Sequence, residues 1–349
     1  VSSSIVGTGI SVPPHVVTNS DLERIMKTSD EWIRSRTGVG RRRFAGRGTP
    51  TSALAIEAGA AALADAGLSS VDVIVTATMT PDHQNPGIGG LVQDGLGLGR
   101  IPAFDLRQQC SGFLYGLDLA DSLIASDRAD SVLIIGAEVH AGYLPWDEAS
   151  WRSVLGDPSV AISAEAYERN TEHRAWSVIF GDGAGAMVLS RSSEPGLITT
   201  RLHSDGTQYS LILVPGLGSA ERPYIDGAQL RAGKHLPHMD GGGLYRQAVR
   251  RMPEVIAEVL EVAGLEISDI DLVVAHQANE RILAGVRRQL DVDEKVVPSN
   301  IADWGNTTSG TLPILFHELR IAGRVAPGAL VCFVAFGAGA HWGATLYRA

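Results

Sequence analysis

Cysteine is scarce. The 349 residues contain only Cys110 and Cys332, so neither a disulfide framework nor a cysteine-rich zinc site can be built. Positive charge is also in short supply: 29 Lys and Arg stand against 39 Asp and Glu, a net charge of −10. Such a chain is not expected to bind nucleic acid nonspecifically, because a phosphate backbone demands a basic surface. No apolar run reaches the roughly 18 residues that cross a bilayer, so no membrane span is expected. The opening VSSSIVGTGISVPP has no basic stretch and no long apolar one. No secretory signal is visible there, and a cytoplasmic protein is expected.

What is present is apolar and glycine-rich. Apolar residues make up 44% and charged ones 19%, a balance that excludes a disordered chain. The length suits two domains or one large duplicated domain. Many of the 40 glycines sit at the ends of apolar runs, where backbone turns sharply or is closely approached.

An internal repeat organises the chain. LADAGLSSVDVIVTAT, from Leu63, resembles LEVAGLEISDIDLVVAHQ, from Leu260. Each reads as a helix stopped by glycine, a polar link containing Asp, and a buried parallel strand. In the first copy IPAFDL leads into a turn holding Cys110; in the second, VVPSN reads as a similar strand leading to Asn306. Cys110 lies 43 residues after Gly67 and Asn306 42 after Gly264. A helix-like stretch follows each turn, FLYGLDLADSLIAS and LPILFHELRIAG, and then a strongly apolar strand, SVLIIGAEV and ALVCFVAFGAG. The reading is a tandem duplication, with halves at 1–195 and 196–349. The alternation predicts an α/β fold with parallel central strands covered by helices. Residues 141–172, which carry Trp146, Trp151 and Tyr167, have no counterpart in the second half. They read as an insertion, a lid or a dimer element.

Functional groups of such sheets gather at the carboxyl ends of strands. Cys110, His276 and Asn306 all follow predicted strands. Cys110 directly precedes an apolar helix, whose free N–H groups and dipole would favour a thiolate and lower its pKa. It reads as a nucleophile or as a small buried hydrophobe. Cys332, mid-strand, reads as core. His276 in AHQAN can donate a hydrogen bond or move a proton, or be structural. Asn306 in GNTTSG offers uncharged N–H donors suited to an enolate oxygen, or is a turn residue. AFGAGAHWG reads as a loop whose amides can approach an oxyanion, or as a tight turn. GDGAG at 181–185 lacks the context of a dinucleotide site. Arginines cluster at 34, 36, 41, 42 and 43, at 246, 250 and 251, and at 281, 287 and 288. Such clusters attract phosphates and acidic partners, although Arg287 and Arg288 read as a solvated helix face.

In order, SDEWIRSRTGV, the Cys110 turn, FGDGAGA, HQAN, the GN of GNTTSGT and AFGAGAHWG closely resemble the β-ketoacyl-acyl carrier protein synthase III family of the thiolase-fold superfamily. The likeness covers nearly the whole chain, except 141–172 and parts of 205–242. It implies a five-layered αβαβα fold built from two duplicated halves. It also implies an acyltransferase that joins an acyl-CoA primer to malonyl-acyl carrier protein by decarboxylative Claisen condensation, in fatty acid or related biosynthesis.

The resemblance further implies roles. Cys110 matches the acyl-accepting nucleophile, and His276 and Asn306 the pair that promotes decarboxylation. The amides of Cys110 and Ala338 match an oxyanion hole, and Phe336 an aromatic flanking the carboxylate that leaves. Trp32 and Arg174 match the groups that sandwich the coenzyme A adenine, and Arg36 and Asn279 further coenzyme A contacts. Arg246 and Arg281 match basic residues that meet the carrier protein. A homodimer, no metal and no permanently bound cofactor are implied, with coenzyme A thioester as substrate. Asn85 stands where many relatives place an apolar residue that bounds the acyl tunnel from across the dimer. Three other readings differ in chemistry: acyl transfer to a hydroxyl or amine, a non-catalytic carrier-protein-binding partner subunit, and a cysteine hydrolase.

Overall fold

A computed structural model of the chain describes residues 2–349. Two mixed sheets carry the fold. The first contains β1 (Ser2–Ser11), β2 (Val73–Ala77), β3 (Ala103–Leu106), β4 (Ser131–Glu138) and β5 (Gly183–Ser192), in the order β1-β5-β4-β2-β3. The second contains β6 (Leu197–Ser204), β7 (Leu272–Ala275), β8 (Leu330–Gly337) and β9 (His341–Arg348), in the order β7-β8-β9-β6. Read from the other edge, the second sheet repeats the first: β6, β9, β8 and β7 stand where β1, β5, β4 and β2 do. Both sheets are parallel only at their hearts. β4, β2 and β3 run parallel, as do β7 and β8, whereas β1, β5, β9 and β6 are antiparallel to their neighbours.

Strand period explains the layering. Side chains alternate between the two faces of a strand, and here both faces are buried. Val73, Val75, Val132 and Ile134 point one way, with Val274, Val331 and Phe333 of the second sheet, into one shared core. That core is filled by α2 (Gly112–Ala125) and α5 (Thr311–Ile321), which lie between the sheets. Ile74, Leu133 and Ile135 point the other way, onto α1 (Thr51–Ala66). Val273, Cys332 and Val334 point onto α3 (Gly241–Ala263) and α4 (Glu280–Leu290). The result is the thiolase-like five-layered αβαβα stack. Gly67 and Gly264 end α1 and α3 in the left-handed conformation, with φ near 66° at both, which glycine adopts without a Cβ penalty.

Three sequence expectations change. VVPSN forms no strand; it gives the second sheet a single backbone bond, Val273 N–H to the Val296 carbonyl at 2.7 Å. Pro298 follows and has no N–H to extend a ladder. Residues 141–172 are not a free lid. They fold into helices at Glu148–Val154 and Ala164–Glu172 and share a core with residues 17–44. Phe44 meets Trp146 and Trp151 edge-on at 5.5 and 5.4 Å, contacts of about 0.5–1.5 kcal/mol each beyond burial. Arg287 is not solvated: it is buried, donating to Glu280 at 2.6 Å and to the Val297 carbonyl at 3.0 Å.

Candidate active site

Two turns that each lead into a central helix face each other at the middle of the molecule. In the first, β3 leads to a 3₁₀ turn, Gln109–Ser111, and then α2. In the second, Asn306 precedes a 3₁₀ turn, Thr308–Gly310, and then α5. Gln109 and Thr308 have φ of 53° and 46°, a region costly for side chains with a Cβ and strained for a β-branched one. Counted back from the first residues of α2 and α5, Cys110 stands opposite Ser309. The equal spacing that paired Cys110 with Asn306 is therefore offset in space.

Cys110, His276, Asn306, Phe336 and Ala338 line one cavity of about 150 Å³. Its wall is otherwise mainly apolar, with Leu144, Phe180, Leu244 and Met252 among the contributors. Gly337 lets the β8 loop press on the Cys110 turn. A Cβ there would lie 3.0–3.1 Å from the Gln108 carbonyl and the Ser111 and Cys110 nitrogens.

The thiol departs from its sequence expectation. Burial, and then the charge of Glu138, push the Cys110 pKa up to about 12, against the opposing hydrogen bonds from the Cys110 and Ala338 amides. Desolvation of the thiolate outweighs the helix terminus, so the resting side chain is a thiol. Cys110 and Ala338 lie on the same cavity wall, where their amides can serve an oxyanion formed beside the sulfur.

His276 follows β7, and its N–H donates to the Val334 carbonyl at 2.9 Å. Burial drives its pKa down to about 3, so the ring is neutral near pH 7 and can serve as a hydrogen-bond donor. The Asn306 carboxamide is oriented by its own turn. Oδ1 accepts from the Thr308 N–H at 2.8 Å, which leaves Nδ2 free to donate into the cavity. Phe336 stacks on Trp342, centroids 6.3 Å apart.

A second group lies on a helix at Asp30–Thr37 and near the cavity mouth. The Arg36 and Arg174 guanidinium carbons sit 4.5 and 4.6 Å from the Trp32 ring centroid. Asn279 caps α4, accepting from the Arg281 N–H at 2.8 Å and donating to the Arg36 carbonyl at 3.0 Å. Arg246 on α3 and Arg281 on α4 are exposed and form no ion pair among the described residues. The 34–43 arginines divide. Arg42 is fully buried, bonded to the Val17 and Val178 carbonyls, while Arg34 and Arg41 pair with Asp30 and Asp303. Asn85 is exposed and does not line its own chain's cavity. Sequence reasoning missed Glu138, wholly buried at the end of β4. An acid closing an otherwise apolar strand was the available signal.

A duplicated five-layer fold, with cysteine, histidine and asparagine around one apolar cavity, defines a thiolase-like acyltransferase. Comparison with known proteins narrows the class. The family model of 3-oxoacyl-[acyl-carrier-protein] synthase III matches residues 104–170 and 158–206, and that of its C-terminal part matches 260–349. A beta-ketoacyl-[acyl-carrier-protein] synthase III from Roseiflexus is 40% identical, with 99% of this chain and 98% of the relative covered. One from Streptomyces coelicolor is 41% identical over 98% and 96%. The crystal structure of the Aquifex aeolicus synthase III superposes with a TM-score of 0.84 at 37% identity, covering 99% of this chain and all of that one. The chain belongs to the 3-oxoacyl-[acyl-carrier-protein] synthase III family. The matches to the full-length relatives run through 141–172.

Proposed function

We propose that this enzyme condenses an acyl-CoA primer with malonyl-acyl carrier protein to a 3-oxoacyl product, in fatty acid or related biosynthesis in the cytoplasm. The observation that carries the reading is the single apolar cavity lined jointly by Cys110, His276 and Asn306.

The Cys110 sulfur attacks the thioester carbonyl of acyl-CoA, and its proton leaves with the coenzyme A thiol. The Cys110 and Ala338 amides hold the transient oxyanion. Malonyl-carrier protein then enters the emptied site. Neutral His276 and the Asn306 Nδ2 donate to its thioester carbonyl, so that the electron pair released with carbon dioxide collects as an enolate. The enolate carbon attacks the acyl carbonyl on Cys110. The sulfur departs and takes up a proton from solvent, the one proton the condensation consumes, and the 3-oxoacyl chain leaves on the carrier protein. Phe336 keeps water from the carboxylate that is lost. Dry surroundings strengthen each hydrogen bond in this sequence.

Trp32, Arg36, Arg174 and Asn279 are proposed to hold coenzyme A, with the adenine displacing one guanidinium from the Trp32 face. Arg246 and Arg281 are proposed to meet the acidic carrier protein, and two copies of the chain to form a homodimer. The test is mass spectrometry after mixing with acyl-CoAs of graded length, then addition of malonyl-carrier protein. A Cys110 adduct followed by carbon dioxide and 3-oxoacyl product supports the reading. An adduct that passes to a hydroxyl or amine without carbon dioxide release overturns it.

A further inference from the structure

Glu138 is the buried charge that this chemistry does not use. Its carboxylate is 0% exposed and has no cation within salt-bridge distance among the described residues. Hydrogen bonds alone satisfy it. Oε2 accepts from Thr80 Oγ1 at 2.7 Å, Thr78 Oγ1 at 3.2 Å and the Met79 N–H at 3.1 Å. Oε1 accepts from Ser309 Oγ at 2.7 Å. The Thr78–Thr80 turn follows β2 in the first half, and Ser309 belongs to the second. The carboxylate therefore joins the two halves beneath the cavity.

The connection to the site is short. Ser309 adjoins Thr308, whose N–H orients the Asn306 carboxamide. The same turn is pressed on β4: a Cβ at Gly136 would lie 2.2 Å from the Ser309 carbonyl oxygen. Met79, at the other end of the clasp, lines the cavity. A buried, unneutralised carboxylate is costly to desolvate, and a hydrophobic contact would join two turns at less cost. The arrangement puts both a rigid clasp and a negative charge next to the reacting groups.

We propose that Glu138 is a positioning residue for the condensation: it clasps the Asn306–Ser309 turn to the Thr78–Thr80 turn and so fixes the Asn306 carboxamide at the cavity. This rests on the function proposed above. Its charge also disfavours a free thiolate at Cys110, which gives the clasp a second readout besides turnover. The other titratable side chains on the cavity wall are His140 and Tyr143 from the turn after β4, and His276 from the end of β7.

The test compares wild type, Glu138→Gln and Glu138→Asp as full chains, in three measurements: Cys110 adduct formation from acyl-CoA, carbon dioxide release from malonyl-carrier protein, and the pH profile of Cys110 alkylation by iodoacetamide. Glu138→Gln is expected to slow carbon dioxide release about tenfold or more relative to adduct formation, the scale of one misdirected hydrogen bond. Its alkylation profile should move to lower pH, because a neighbouring negative charge has gone, and Glu138→Asp should restore that profile toward wild type. Equal loss in both half-reactions, or an unmoved alkylation profile, overturns the proposal. If Glu138→Gln does not fold, Ser309→Ala removes the hydroxyl that contacts both the Glu138 carboxylate and the Ala77 carbonyl; unchanged carbon dioxide release in that variant also overturns it. A wild-type protein that forms no Cys110 adduct and no product fails the proposed function itself, and this inference with it. Normal wild-type turnover with indiscriminate variants sinks the inference alone.

Discussion

The Cys110 turn and the Asn306–Ser309 turn use the same backbone device and put it to different ends. Each has a residue of positive φ, a 3₁₀ turn and a helix start between the sheets. In the first, the residue two before the helix is the thiol, on the cavity wall with Ala338. In the second it is Ser309, whose hydroxyl is engaged by Glu138, and the chemistry moves upstream to Asn306. Duplication supplied a scaffold with two equivalent positions. In the proposed function that equivalence is broken, one turn supplying the nucleophile and the other the hydrogen bonds for its partner.

Making the two turns alike should destroy turnover. Cys110→Ser gives both a hydroxyl, the new one without a paired general base, and Cys110→Ala removes the thiol outright. Both are expected to lower 3-oxoacyl product by about a thousandfold or more. Mass spectrometry should find no acyl adduct, whereas carbon dioxide release from malonyl-carrier protein persists through Asn306 and His276. Product at more than a few per cent of wild type would contradict the division of labour. Asn306→Ala breaks the other side. It should lower carbon dioxide release about a hundredfold, the scale of a lost oxyanion donor, and leave the rate of Cys110 loading within a few-fold. Equal damage to both half-reactions would show that the turns do not divide the chemistry.

Much of this contrast was legible in the sequence. The Ala-Gly-Leu stops, the period-2 apolar runs and the near-equal spacings marked the duplicated core, because buried strands and helix ends obey local rules. The family resemblance added the grouping of Cys110, His276 and Asn306. The rest depended on tertiary contacts. That VVPSN is not a strand turns on a proline and on the lack of a partner beyond one bond. The counterpart of Cys110 is visible only when helix starts are superposed. The thiol pKa was read in the wrong direction, because a helix terminus is local and desolvation is not. Arg287 and Glu138 have partners 7 to 171 residues away in sequence, and no local pattern announces them.

His276 allows a subtler test. Its pKa in the folded chain lies near 3, below the ordinary 6.5, because burial penalises the cation. A group held neutral by folding contributes its stability above the unfolded pKa and loses it as pH falls from about 6.5 toward 3, since the unfolded state gains a proton that the native state refuses. The wild-type melting temperature should therefore drop across that window more steeply than that of His276→Asn, compared at matched ionic strength. Parallel curves would mean that the ring protonates in place. Near neutral pH the two proteins should differ mainly in turnover.

The smallest expected effect concerns the other cysteine. Cys332 is wholly buried mid-way along β8, and burial pushes its thiol up as it does that of Cys110. What separates the two is surroundings. The Cys332 sulfur has only the Phe333 carbonyl at 3.8 Å and lies in the core against α3, with no amide pair and no cavity beside it. A raised thiol pKa thus marks burial in both and reactivity in neither; the cavity beside Cys110 sets the proposed nucleophile apart. Cys332→Ala should cost about 1 kcal/mol of stability through the lost volume and leave acyl loading and product formation unchanged. An acyl adduct on Cys332 in the folded wild-type protein, or a Cys332→Ala enzyme several-fold slower at unchanged stability, would show that burial alone had been mistaken for inertness.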